Sequence, residues 1–435
     1  MTYTLTHNDI SIDLHSYGAS IAALSMPDRR GSVQNIVMGL PTESDYAGTH
    51  PFFGSTIGRY AGRIAGASFR MGNGPDSRLE EPELYQLPAN DGPHCLHGGP
   101  GGLHHLEWEA QQQQQPQQQQ RGATDGDSIV LRCVSPHLDQ GFPGTLEVRL
   151  RVTLGPVGGA LGAAPGTSRA RDGGTSRARD GASPLAERLM QQLIRGAIST
   201  RPELRPELRP LAAVSFSYEA SSDVATPVNL TNHSYFNLAG LPQGTQHAER
   251  VDGHRVWIPS GKVLELNDDR IPTGRMRDVA GTELDLRGGL GSVPESLAGV
   301  PSSVPGLLSS VPGLQPESLA AQLGPRIAAL EEAGVGGFDH YYVLGSSTSD
   351  RTAGLQPAAV ALHEESGRVL MLFTSEPGLQ FYTGGMLPDA SRYLAFCLEP
   401  GAYPDAMHHR HFPQRLAAPG RPYRQESVLV LGLLR

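Results

Sequence analysis

Residues 146–154 read LEVRLRVTL. Leu146, Val148, Leu150, Val152 and Leu154 alternate with Glu147, Arg149, Arg151 and Thr153 without a break. Successive side chains on a strand point to opposite faces, so this pattern predicts a strand with one buried and one wet face. The same period of two recurs in VSFSY (214–218) and ISIDL (10–14), and VLMLFTS (369–375) and SVLVLGLL (427–434) are short apolar runs. Gly, Pro, Asn and Asp turns separate them, the signature of an antiparallel β protein. Alternating strand–helix units are missing, which argues against a doubly wound sheet or a (β/α)8 barrel. The expected fold is all-β: a sandwich interrupted by insertions.

Three stretches stand apart from this pattern. Residues 111–120 are a glutamine tract broken by Pro116. Residues 155–210 contain TSRARDGG, TSRARDG and RPELRPELRP, and residues 288–334 repeat SVPESLAG, SVPGLL and SVPGLQPESLA. Tandem repeats of small and polar residues bury too little apolar area to offset chain entropy. They are expected to be low-complexity surface inserts, mostly disordered, in a single domain spanning 1–435. Residues 182–198 are predicted as a short helix, and 315–332 as another, with Leu319, Leu323, Ile327 and Leu330 near helical spacing.

Composition excludes several functions. The 53 glycines and 35 prolines in 435 residues exceed the usual share of ~12%, as a turn-rich chain requires. A net charge of −9 makes a nucleic-acid surface unexpected. No apolar run approaches the ~18–20 residues that cross a bilayer, and the first residues lack a basic-then-apolar signal. Cys95, Cys133 and Cys397 form no CxxC pair and are odd in number, so they are expected as reduced thiols in the cytoplasm. Lys262 is the one lysine. Schiff-base or phosphate-loop chemistry must use it or be absent, and its context PSGKVLELN lacks phosphate-loop glycines.

Polar residues concentrate in six segments. These are GRYAGRI (58–64), NDGPHCLHGG (90–99), NLTNHSYFNLAG (229–240), GGFDHYYVL (336–344), TSEPGLQFYTG (374–384) and FCLEPGAYPDAMHHRHFP (396–413). Taken singly, Arg59 and Arg63 read as surface ion-pair arginines, and His97 or His233 as hydrogen-bonded structural residues. Glu399 ends the apolar run LAFCL. A carboxylate emerging from a buried strand has a raised pKa and suits a general base, or else a structural salt bridge. His94, His97, His104 and His105 lie close in sequence, as do His408, His409 and His411, but no H-E-x-x-H is present. Neighbouring histidines on a strand face opposite ways, so no metal is expected. GSTIG (54–58) has threonine where a nucleophile elbow needs serine, and no G-x-G-x-x-G follows a strand. Neither serine hydrolysis nor a nicotinamide cofactor is expected.

Taken together, these segments resemble the aldose 1-epimerase (galactose mutarotase) family. YGASIAALSMPDRRG (17–31), HPFFGSTIGRYAGRI (50–64), LPANDGPHCLHGG (87–99), TPVNLTNHSYFNLAG (226–240), IPTG (271–274), GGFDHYYVL, EPGLQFYTG and CLEPGAYPDA (397–406) follow the family's order. The resemblance covers about residues 3–433 outside the inserts. It implies a large antiparallel β-supersandwich with an open sugar cleft, and interconversion of the α and β anomers of free hexoses without cofactor or metal. It implies Glu399 as the base that takes the C1 hydroxyl proton and His233 as the acid that protonates the ring oxygen. Arg63 and His97 would hold ring hydroxyls, Asp339 would accept hydrogen bonds from the sugar, and Gln380 is a further cleft candidate. On these roles kcat falls at low pH as Glu399 protonates and at high pH as His233 deprotonates. The chain departs from the family at Gly62, where asparagine is common, at His408, and at Pro400-Gly401, where a polar pair is common. The alternatives are an epimerase of hexose phosphates, which calls for several cleft arginines, and an inactive sugar-binding module. The expected partner is a small aldohexose, with no nucleic acid or membrane, for a monomer or weak homodimer.

Overall fold

The structure is a computed structural model that describes residues 1–72, 82–111, 127–160, 208–241, 248–287, 321–345 and 354–434. Among these, two large antiparallel sheets of ten and nine strands face each other across one core. LEVRLRVTL lies in the strand Leu146–Gly155, paired on one side with Asp127–Ser135 and on the other with Leu208–Ser222. Its five apolar residues are all buried in that core. The alternation predicted from sequence is therefore the alternation observed.

Two elements begin inside stretches that the sequence set apart. The strand Leu208–Ser222 starts within RPELRPELRP and pairs with Tyr423–Leu434. Pro210 is accommodated because the register shifts between Pro210 and Ala212, and proline is tolerated at such bulges. The helix Leu323–Glu332 buries Leu323, Ile327 and Leu330 against the core, so this part of 288–334 is no surface insertion. Pro325 sits in its first turn, where a missing N–H costs nothing. Gly334, at φ +77°, ends it: Val335 N–H reaches Leu330 O at 2.8 Å and Gly334 N–H reaches Glu331 O at 2.9 Å. That is a Schellman closure, which needs a left-handed residue. The helix predicted at 182–198, the repeats at 167–181, Leu319 and all but the first residue of the glutamine tract lie outside the described residues. No helix among the described residues is long and apolar enough to cross a membrane.

In the ten-stranded sheet, Tyr235–Leu241, Phe396–Gly401, Gly378–Tyr382 and Asp339–Val343 are consecutive neighbours. Period two divides their side chains. Phe381, Leu398, Leu379 and Tyr342 point into the core between the sheets. The residues between them, including Asp339, Gln380 and Glu399, belong to the opposite face.

Candidate functional site

That opposite face carries the cleft's strand-borne half. Gln380 pairs directly with Glu399 across one ladder and with Tyr341 across the next. Asp339 is two residues from Tyr341, so it shares their face. Gln380 Nε2 donates to Asp339 Oδ1 at 2.7 Å. Asp339 Oδ2 is buried without a hydrogen bond, 3.7 Å from Arg270 Nε and 4.0 Å from Arg63 Nη1. An acceptor so placed suits a ligand hydroxyl.

The other half is built from short, irregular pieces. His233 follows the two-residue strand Thr231–Asn232, which pairs with Thr56–Ile57. Its backbone is held on both sides: N–H to Ser55 O at 2.9 Å, and O from Gly54 N–H at 3.0 Å. Asn232 fixes the turn, its Oδ1 accepting from the Ser234 hydroxyl at 2.6 Å and its Nδ2 donating to Gly54 O at 2.7 Å. Tyr235 stacks on the His233 ring at 5.0 Å between centroids. Arg63 pairs with Leu96 in another two-residue ladder and donates from Nε to Asp91 Oδ2 at 2.6 Å. His97 follows at φ +55°, with Gly98 at φ +82°. A Cβ on Gly98 would lie 2.3 Å from Gly58 O, so glycine is required there on both counts.

The halves meet around a cleft of about 220 Å³ lined by Arg63, His97, His233, Asp339, Gln380 and Glu399. All six residues singled out from sequence thus converge. The volume is below the ~300–1,000 Å³ of drug-sized pockets and suits one monosaccharide. Asn229 ties the halves together: its Nδ2 donates to Ala61 O at 2.9 Å and its Oδ1 accepts from Ala402 N–H at 2.7 Å. The sequence places Asn229 in the same polar segment as His233 but carries no sign of this role.

His233 Nε2 lies 3.6 Å from Glu399 Oε1, with both side chains 5% exposed. Burial pushes the His233 imidazole down to about 4. Burial, then the Asp339 charge, pushes Glu399 well above the usual carboxylate range. Burial thus favours a neutral imidazole beside a protonated carboxyl, one proton on the pair and that one on Glu399. The roles expected from sequence start with the proton on His233, whereas burial favours it on Glu399. One ligand atom each from His97, His233 and Glu399 also lie within 4.8 Å of one another. The donor set does not suit a metal. His97 Nδ1 accepts Gly62 N–H at 3.2 Å, so a neutral ring carries its proton on Nε2 and has no free lone pair to give.

Other polar residues from the six segments do structural work. Arg59 is 2% exposed, not a surface ion-pair residue. Its guanidinium donates to Ser135 Oγ and to the carbonyls of Ser135, Pro136, Pro143 and Gly144. Glu376 is fully buried beside Arg415, at 2.8 Å, and burial raises it to about 7. Asp405 accepts Ala65 N–H and bonds His408 at 2.6 Å.

An aldose 1-epimerase family pattern matches residues 1–159 and 204–429. Fold, converging site and pattern agree: the chain belongs to the aldose 1-epimerase family. It is 28% identical over 440 residues to galactose mutarotase of Sus scrofa, covering 99% of this chain and 94% of that one. It is 24% identical over 432 residues to aldose 1-epimerase of Escherichia coli K12, covering 97% and 92%. Among solved structures, an aldose epimerase homologue from C. elegans superposes with TM-score 0.65 at 21% identity, over 100% and 99% of the chains. Galactose 1-epimerase of Lactobacillus acidophilus superposes with TM-score 0.62 at 18% identity, over 99% and 93%.

Proposed function

We infer that this chain is an isomerase that interconverts the α and β anomers of a free aldohexose by ring opening and reclosure. The observation that carries the reading is the facing His233–Glu399 pair in a monosaccharide-sized cleft. Glu399 takes the proton of the C1 hydroxyl, and His233 gives a proton from Nε2 to the ring oxygen. The C1–O5 bond breaks, the aldehyde turns about C1–C2, and the reverse transfers close the ring on the other face. Ring opening leaves Glu399 protonated and His233 neutral. Those are also the forms that burial favours at rest, so the reacting form is the minor one in which the proton of the pair sits on His233 and Glu399 is a carboxylate.

Arg63 and His97 hold ring oxygens, and Asp339 and Gln380 accept and donate at the sugar hydroxyls. Both cleft guanidiniums face carboxylates: Arg63 faces Asp91 and Asp339, and Arg270 faces Asp339. The described cleft lining therefore offers no arginine without a facing carboxylate to a phosphate dianion, which favours free sugars. The cleft is complete within one chain, in keeping with a monomer or weak homodimer. Three free, buried cysteines fit a cytoplasmic protein. A core cluster running from Leu5 to Leu431 supports reading the chain as one domain.

The test is polarimetry on freshly dissolved α-D-galactose and α-D-glucose with wild type and Glu399→Gln. Faster approach to anomeric equilibrium in wild type alone is expected. Equal acceleration by both proteins would remove Glu399 as the base, and no acceleration by either would remove the activity.

A further inference from the structure

The cleft holds buried His233 and half-buried His97, whose ring planes stand at 84°, centroids 5.3 Å apart. The reaction assigned above needs one to hand over a proton and the other to stay neutral. Their Nδ1 partners differ. His97 Nδ1 faces the backbone N–H of Gly62 at 3.2 Å. An amide N–H only donates, so His97 is fixed as the Nε2–H form. Protonating it would set an Nδ1–H against that amide. His233 Nδ1 faces the Cys397 thiol at 3.5 Å. A thiol both donates and accepts. It can give S–H to a bare Nδ1, and by rotating about Cβ–Sγ it can accept from Nδ1–H.

We propose that Cys397 is a positioning residue for His233: its thiol lets the imidazole carry a proton on either ring nitrogen, and this partner, absent at His97, makes His233 the acid. The inference rests on the function proposed above. When His233 gives its Nε2 proton to the ring oxygen, the remaining proton sits on Nδ1 and the sulfur accepts it. When His233 is neutral with its proton on Nε2, the thiol donates instead. No covalent change occurs at sulfur.

The placement is built into the sheet. Cys397 is two residues before Glu399 on the same face of the strand Phe396–Gly401, opposite Tyr235 on one side and Tyr382 on the other. It is fully buried and does not line the cleft. The thiol therefore meets the imidazole and not the sugar. Burial, then the charges of Glu399 and Asp339, hold its pKa well up, so it remains a thiol. The other ionisable groups around this pair are Glu399 and Asp339 from the sheet, Tyr235 and Tyr382 beside the sulfur, and His97, His50 and His104 from the loops.

The experiment compares Cys397→Ala, Cys397→Ser and Glu399→Gln in full-length protein, reading kcat and KM by polarimetry from pH 4 to 10. Cys397→Ala is expected to lower kcat roughly tenfold, part of the ~10²–10⁴ that a general acid supplies. KM should stay within about twofold, and the pH limbs should move. Serine, which also donates and accepts, should recover most of that loss. A Cys397→Ala protein with wild-type kcat and unmoved limbs overturns the proposal, as does a folded serine variant as slow as alanine. If alanine does not fold, ring-nitrogen NMR of wild type decides. His97 should keep a bare Nδ1 across the range, while His233 shows a protonated Nδ1 in some part of it. A protonated Nδ1 on His97, or none on His233, overturns the assignment. Undiminished turnover in Glu399→Gln would instead sink the catalytic pair itself, whatever the cysteine variants do.

Discussion

Asp339, Gln380 and Glu399 hang from regular strands of five or six residues, whereas Arg63, His97 and His233 hang from turns and two-residue ladders. On the strand side, one register decides everything. Because Gln380 pairs with Glu399 and Tyr341, every second residue faces the cleft and the rest face the core. On the loop side, each side chain is set by its own backbone bonds and left-handed residues, such as Gly62, His97 and Gly98. A sheet positions a set of groups at once; loops position them one by one. The acid–base pair takes one member from each side, joined through Asn229.

The largest expected effect treats the sides alike. Glu399→Gln and His233→Ala should each lower kcat by roughly 10²–10⁴-fold, the usual worth of a general base or acid. Near-wild-type turnover in one of them would show that its side of the cleft is scaffold only. Asp339→Asn should act mainly on binding, raising KM by about 10–100-fold for the loss of a charged hydrogen-bond partner worth ~1.5–3 kcal/mol. It should also lower the raised pKa of Glu399, because the Asp339 charge contributes to it. A kcat loss with unchanged KM would count against Asp339 as a sugar ligand.

The sandwich was legible in the sequence because strand alternation is local. LEVRLRVTL, VSFSY and ISIDL name their faces by period two, whereas Glu399 shows only as a carboxylate after an apolar run, and Asp339 and Gln380 entered through the family resemblance. The loop half was not legible from pattern. His97 and His233 read singly as structural histidines, and the family resemblance joined them to Glu399. Arg59 and Arg63 looked equivalent, four residues apart. One is buried under carbonyls and the other faces the cleft, a difference decided by residues about 80 positions away. The helix at Leu323–Glu332 was visible by its spacing, but its burial depended on a partner sheet.

Two smaller effects separate the sides. Gly98→Ala should cost ~1–3 kcal/mol by strain at a left-handed position, read as a lower Tm. Leu398→Ala, on the core face behind Glu399, should cost ~2–5 kcal/mol by leaving a cavity. Alanine tolerated at Gly98 would mean that the loop can relax. The pH response should differ in sign. His104 and His233 are lowered to about 3 and about 4. Their contribution to stability is full above the unfolded value of ~6.5 and is lost as pH falls toward those values. Glu376 and Glu399 are raised, Glu376 to about 7. Their contribution is full below the ordinary carboxylate range and is lost as pH rises through the raised values. Hydrogen exchange at pH 7 and pH 5 should show protection falling around the loop histidines but not along Phe396–Gly401. A uniform change would break the distinction. In activity, the paired proton predicts an acid limb near 4, set by His233; a limb at ~6.5 would mean an imidazole in contact with water.

An open-chain sugar is an aldehyde, and aldehydes condense with primary amines to imines, the first step of glycation. This chain has a single lysine among its 35 basic residues. Lys262 is exposed and lies outside the cleft, whose cations are guanidiniums that stay protonated. The transient aldehyde thus meets no amine inside its own site, and the surface offers little for free sugar to modify. Of the basic side chains this chain could set against an aldehyde, all but one are guanidiniums.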